Sequence, residues 1–127
     1  MSKHRQEKVS HEIMRVLSSA LIEEVKDPRL SDVTITDVSV SSDLSVASVR
    51  YLCPKDADRE ILRIGLEKAS PFLRSLLGER ILLRRVPVLN FYYDEAYEKG
   101  AQMSALLAKL RAEGQMGTDS TSDGEEG

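Results

Sequence analysis

The stretch Leu66–Tyr93, LEKASPFLRSLLGERILLRRVPVLNFYY, decides the fold. Leu62, Gly65, Ala69, Leu73 and Leu76 recur at helical spacing through its first half. Pro71 interrupts that period. Proline lacks an N–H and its ring clashes with the preceding turn, so a helix is expected to break there. Serine ahead of it suits an N-cap, and proline suits the first helical position. Ala69, Ser70 and Pro71 are therefore read as an interhelical kink. It ends a helix that starts near Asp58 and begins another over Pro71–Leu77, which Gly78 stops. Arg80–Tyr93 reads as a strand, and Pro87 inside it demands a free edge or a bulge.

Upstream, Arg5–Lys26 carries one apolar stripe through Val9, Ile13, Val16, Leu17, Ala20, Leu21 and Val25. Asp27-Pro28 ends that helix, because the residue before proline is pushed out of helical geometry. Ser31–Val40 and Leu44–Leu52 are rich in valine, serine and threonine and read as strands joined at Ser41-Ser42-Asp43. Val33 and Ile35 share one parity and Val38 and Val40 the other, so a bulge is expected near Thr36 or Asp37. Asp94–Ala112 reads as a last helix with Ala96, Gly100, Met103, Leu107 and Leu110 on one face.

Helix, hairpin, helix–kink–helix and strand is the order of a type II KH domain. The wording PFLRSLLGERILLRRVPVLNFYYDEA resembles the bacterial ribosome-binding factor A family more narrowly. Asp27-Pro28-Arg29-Leu30 followed by Val33-Thr34-Ile35-Thr36, then Ser42-Asp43-Leu44 with Ala47 and Tyr51, and finally Asp94, Gly100 and Met103 extend the resemblance from Arg5 to Leu110. That family replaces the KH glycine loop with an Ala-x-Gly kink; this chain keeps Ala69 and Ser70 and departs at Pro71. A KH glycine loop clamps four nucleotides by close backbone approach. With an amide removed at Pro71, recognition is expected to rest on side-chain charge and the shape of a large RNA surface.

The 127 residues suggest one domain, and the 41% hydrophobic content supports a modest core. The chain is expected to form an α+β, KH type II-like domain over residues 1–112, with a disordered acidic tail over 113–127. Asp119, Asp123, Glu125 and Glu126 give the tail its charge; without them the 18 basic residues slightly outnumber the acids. Cys53 is the only cysteine, which excludes an intramolecular disulfide and fits a reducing cytoplasm. Neither a membrane span nor a secretory leader is visible.

Basic residues gather twice. Lys3, His4, Arg5, Lys8, His11 and Arg15 lie along the first helix, with 4, 8, 11 and 15 on one face that Glu7 and Glu12 dilute. Such a face is either simply solvated or a phosphate footprint. Lys68, Arg74, Arg80, Arg84 and Arg85 form the second group; four arginines and one acid between Phe72 and Val86 exceed what solubility needs. Arg80 and Arg84 are expected on one strand face and Arg85 on the other. The candidate RNA-binding set is Arg5, Lys8, Arg15, Lys68, Arg74, Arg80 and Arg84. Phe91, Tyr92 and Tyr93 read mainly as core, which leaves one tyrosine free to face an open side of the sheet.

Catalytic parts are absent: His4 and His11 complete no metal set, no serine sits in a Gly-x-Ser-x-Gly elbow, and no phosphate loop occurs. No enzyme activity, cofactor or metal is expected. The resemblance implies a monomeric cytoplasmic assembly factor that binds the free or immature 30S subunit and its 16S rRNA. It further implies support of 5′-end maturation of that RNA, most needed in the cold. The alternative is a KH-like protein–protein adaptor with incidental RNA contact, which salt dependence would separate.

Overall fold

The computed structural model describes residues 3–117, with side chains through Gly114. In chain order it contains α1 (Lys3–Glu23), a 3-10 turn (Pro28–Asp32), β1 (Thr34–Val40), β2 (Val46–Leu52), α2 (Arg59–Arg80), β3 (Val88–Tyr93) and α3 (Glu95–Gly117). The chain divides after Asp94 into two units, the second beginning with α3. This α+β order is consistent with the type II KH arrangement.

The sheet runs β1-β2-β3. β1 and β2 form an antiparallel hairpin, while β3 returns parallel to β2 after α2 crosses over. Parallel neighbours need such a crossover, because a tight turn cannot reverse the chain twice. Inward residues alternate along the strands: Ala47, Val49 and Tyr51 on β2 and Leu89 on β3 are buried. α1 contributes Val9, Ile13, Val16, Leu17, Ala20 and Leu21, and α2 contributes Leu62, Leu66, Leu73, Leu76 and Leu77. Each large aliphatic side chain so buried contributes about 1.5–3 kcal/mol.

The expected bulge is present. Ile35 pairs with Tyr51 and Asp37 with Arg50, so Thr36 is the extra residue. Its hydroxyl donates to the Asp94 carboxylate at 2.6 Å, while the Asp94 amide donates to the Tyr51 carbonyl at 2.8 Å. Asp94 is buried, so its carboxylate needs donors of this kind. The bulge thus aims a hydroxyl at the residue that precedes α3. Thr36→Val is expected to destabilise the fold by about 1.5 kcal/mol, the lower end for a hydrogen bond to a charged group, in urea unfolding. Unchanged stability would remove this link.

Several expectations need correction. α2 is one helix from Arg59 to Arg80, with Pro71 inside it, rather than two helices meeting at Ala69-Ser70-Pro71. The N-cap is Asp58, whose carboxylate accepts from the Glu60 and Ile61 amides at 3.0 and 3.2 Å. Helicity survives proline because the leucines before and after it lie on one buried stripe, and tertiary packing overrides local propensity. Gly78 does not stop the helix, which ends when Ile81 N–H bonds the Leu77 carbonyl at 3.0 Å. Gly78 instead admits Val86, whose Cγ2 would lie 3.3 Å from an added Cβ.

The third strand is shorter than its sequence suggested. Val88 pairs with Val46, the first residue of β2, so nothing upstream has a ladder partner. Pro87, without an N–H, is buried just ahead of the strand. Arg80 accordingly belongs to α2 and Arg84 to the connecting loop, and the shared strand face expected for them does not exist. α1 also stops earlier than expected, at Glu23, where the amides of Glu24 and Val25 both bond the Ala20 carbonyl. Downstream, α3 continues past residue 112 to Gly117, and the rest of the acidic tail lies outside the described residues. Met103, Leu107 and Leu110 in α3 each keep about half their surface exposed.

Candidate nucleic-acid interface

The candidate cations separate into two kinds once their surroundings are known. Arg74 and Arg80 serve the fold. Arg74, half-buried in α2, donates Nε to the Pro87 carbonyl and Nη2 to the Val86 carbonyl, both at 3.0 Å. It fastens the loop that delivers the chain to β3. Arg80 forms a two-pronged pair with Glu24, both contacts 2.6 Å, and ties the end of α2 to the segment after α1. That guanidinium holds the Glu24 carboxyl below its ordinary range, chiefly by hydrogen bonding. The geometry is good, yet both groups touch solvent, which limits what the pair adds to stability.

Lys8 and Arg15 on α1, Lys68 on α2 and Arg84 in the loop are exposed and have no ion pair among the described residues. Arg5 is exposed but already takes part in an interaction within the chain. Of the seven candidates, four therefore have no ion pair among the described residues. Arg85, also exposed, sits close enough to the hairpin turn to act on Asp43. The kink residues carry no amide loop: the backbone there is helical, and Ser70 caps nothing.

The hairpin turn beside Arg85 is internally wired. Asp43 Oδ1 accepts from the Ser45 amide at 3.0 Å, from Ser45 Oγ at 2.7 Å and from Ser41 Oγ at 2.9 Å. Leu44 takes a left-handed backbone at φ 60°, strained for a branched residue, and its side chain is buried in return. These donors, led by Ser45 Oγ, with the nearby positive charge of Arg85 adding least, lower the Asp43 carboxyl from 3.8 to about 2. A depressed folded pKa means the turn's contribution is complete above the ordinary value and is lost as pH falls through about 2. Carboxyl NMR titration should place the Asp43 midpoint near 2, and Ser45→Ala should raise it. A wild-type midpoint near 3.8 would show that the turn is not held this way.

The open side of the sheet supplies a feature the sequence reading missed. Arg50 on β2 is in register with Tyr92 on β3, and its guanidinium carbon lies 5.7 Å from the ring centroid. Tyr92 is 45% exposed, whereas Tyr93 packs edge-on against Tyr51. Strand parity alone placed Arg50 and Tyr92 on the same side once the parallel register was fixed.

Residues 5–107 match the family model of ribosome-binding factor A. The chain belongs to the ribosome-binding factor A family. A ribosome-binding factor A from Streptococcus mutans is 41% identical over 112 residues, spanning 87% of this chain and 97% of that one. The crystal structure of ribosome-binding factor A from Thermus thermophilus is 30% identical and superposes with a TM-score of 0.63 over 69% of this chain and 94% of that one. A homology model of the Thermus thermophilus ribosome-binding factor A, fitted into a cryo-EM map of a 30S complex, is 31% identical, with a TM-score of 0.56 over 68% of this chain and 91% of that one. Among the described residues, no cluster of His, Cys, Asp and Glu could hold a metal ion, and no helix is long and apolar enough to cross a membrane.

Proposed function

We propose that this protein is a ribosome assembly factor that binds the free or immature 30S subunit through its 16S rRNA. It supports maturation of the 5′ end of that RNA and subunit assembly, above all at low temperature. It acts as a cytoplasmic monomer, by occupancy, without catalysis or a cofactor. The observation that carries the reading is the match to a homology model of a family member fitted into the map of a 30S complex. The exposed Lys8, Arg15, Lys68 and Arg84, unpaired among the described residues, supply the contacts, since phosphate oxygens are the acceptors such cations meet on RNA. Arg74 and Arg80 are left out of the interface because their guanidinium groups already bond partners within the chain.

The test is charge reversal at sites that do not hold the fold. The Lys8→Glu, Arg15→Glu, Arg84→Glu variant should keep its circular dichroism and bind purified 30S subunits about tenfold or more weakly. Each phosphate that is no longer neutralised should flatten the slope of log affinity against log salt by about 0.7–0.9. Undiminished co-sedimentation of the folded variant would exclude these cations from the interface.

A further inference from the structure

An open cleft of about 660 Å³ lies between α2 and the segment that links α1 to β1. Its floor is aliphatic and aromatic: Val25, Leu30, Ile61, Ile64 and Phe72 line it. Ile61, Ile64 and Phe72 are 42%, 39% and 44% exposed, which is high for three large apolar side chains gathered in one place. Gly65 gives the cleft its depth, since a Cβ there would stand 3.3 Å from Leu30 Cδ2 and 3.4 Å from Asp27 Oδ2.

The rim is charged, and its acids are already used. Glu24 is held by Arg80, and Asp27 accepts from Arg29 through both carboxylate oxygens at 3.0 and 2.9 Å. Lys26 and Lys68 are exposed and have no ion pair among the described residues. The surface is thus an apolar trough flanked by free ammonium groups. We infer that it is a docking groove for an amphipathic helix of another protein, one with apolar residues on one face and carboxylates beside them.

Other occupants match only half of it. An RNA strand would satisfy the lysines, but aliphatic side chains offer bases neither hydrogen bonds nor a stacking surface beyond Phe72. The acidic end of this chain, Thr118–Gly127, has carboxylates and no large apolar side chain to fill the floor. A second copy docked by the same patch across a two-fold axis would bring like-charged rims together. A helix with anchors at i, i+3, i+4 and i+7 and acidic flanks satisfies both parts. This surface uses none of the α1 cations and shares only Lys68 with the set assigned to rRNA, so Phe72 and Lys26, which lie outside that set, test it separately from rRNA binding.

The experiment is amide and methyl NMR on the full chain, titrated with three short synthetic helical peptides. One carries leucines on a single face with flanking glutamates, the second has lysines in place of the glutamates, and the third has the leucines scattered around the helix. The acid-flanked peptide should shift Ile61, Ile64, Gly65 and Phe72 together. The lysine-flanked peptide should bind about tenfold more weakly, the scattered one not measurably. Phe72→Ser should lose the response with the remaining spectrum intact, and Lys26→Glu should reduce the preference for acidic flanks. The inference is overturned if no peptide perturbs the cleft, or if all three act alike. It is also overturned if oligouridylate perturbs the cleft in preference to the peptides, or if the same signals move with protein concentration alone.

Discussion

Replacing Arg74 with leucine is expected to destabilise the fold by about 3 kcal/mol. The guanidinium bridges two consecutive carbonyls, Pro87 and Val86, from a half-buried position on α2. Hydrogen bonds to a charged group are worth about 1.5–3 kcal/mol, and removing the donor leaves both acceptors without their partner. Leucine keeps some of the stem's packing, so the loss reports mainly on the bonds. Arg74→Lys should recover only part, because an ammonium cannot reproduce the forked geometry. Urea unfolding measures both. A fully stable Arg74→Leu protein with weakened 30S binding would return Arg74 to the interface.

Pro71→Ala should have the second largest effect and the opposite sign, a gain of about 2 kcal/mol. Proline in a helix interior is about 3 kcal/mol less favourable than alanine. Its missing N–H also leaves the Glu67 carbonyl without its helical partner. Part of that difference is not recovered, since the surrounding packing has adjusted to the ring and proline restricts the unfolded chain. Pro71→Gly should gain less, because glycine restores the amide but adds freedom to the unfolded state. If Pro71→Ala lowered the melting temperature, proline would be stabilising a local geometry that the uninterrupted helix does not require.

The fate of Pro71 shows where sequence reasoning stopped. Local chemistry at Ser70-Pro71 favours a helix start, but the burial of Leu66, Leu73, Leu76 and Leu77 on one stripe keeps the backbone helical. The helical spacing of these leucines was visible, but that burial would outweigh the local chemistry of Ser70-Pro71 is a tertiary effect the sequence does not weigh. The bulge at Thr36 was legible because a change of parity between Ile35 and Val38 must be absorbed within a few residues. The start of β3 was not, because it depends on where β2 begins across the sheet. The arginines divide on the same ground. Their charge is written in the sequence, but Glu24, the partner of Arg80, lies 56 residues away, and the acceptors of Arg74 are backbone carbonyls of a loop. Counting charge located a basic region; only the fold distinguished the cations that brace it from Lys8, Arg15, Lys68 and Arg84, which have no ion pair among the described residues.

On the function proposed above, this protein occupies the small ribosomal subunit by contacting its RNA through those four cations. Photocrosslinkers placed singly at positions 8, 15, 68 and 84, with the full chain bound to purified 30S subunits and the attached RNA sequenced, address it most directly. Crosslinks to discrete segments of 16S rRNA are expected, lost as salt is raised, with no turnover of precursor RNA by the protein alone. Crosslinks confined to ribosomal proteins and indifferent to salt, or no association with the subunit, would contradict it.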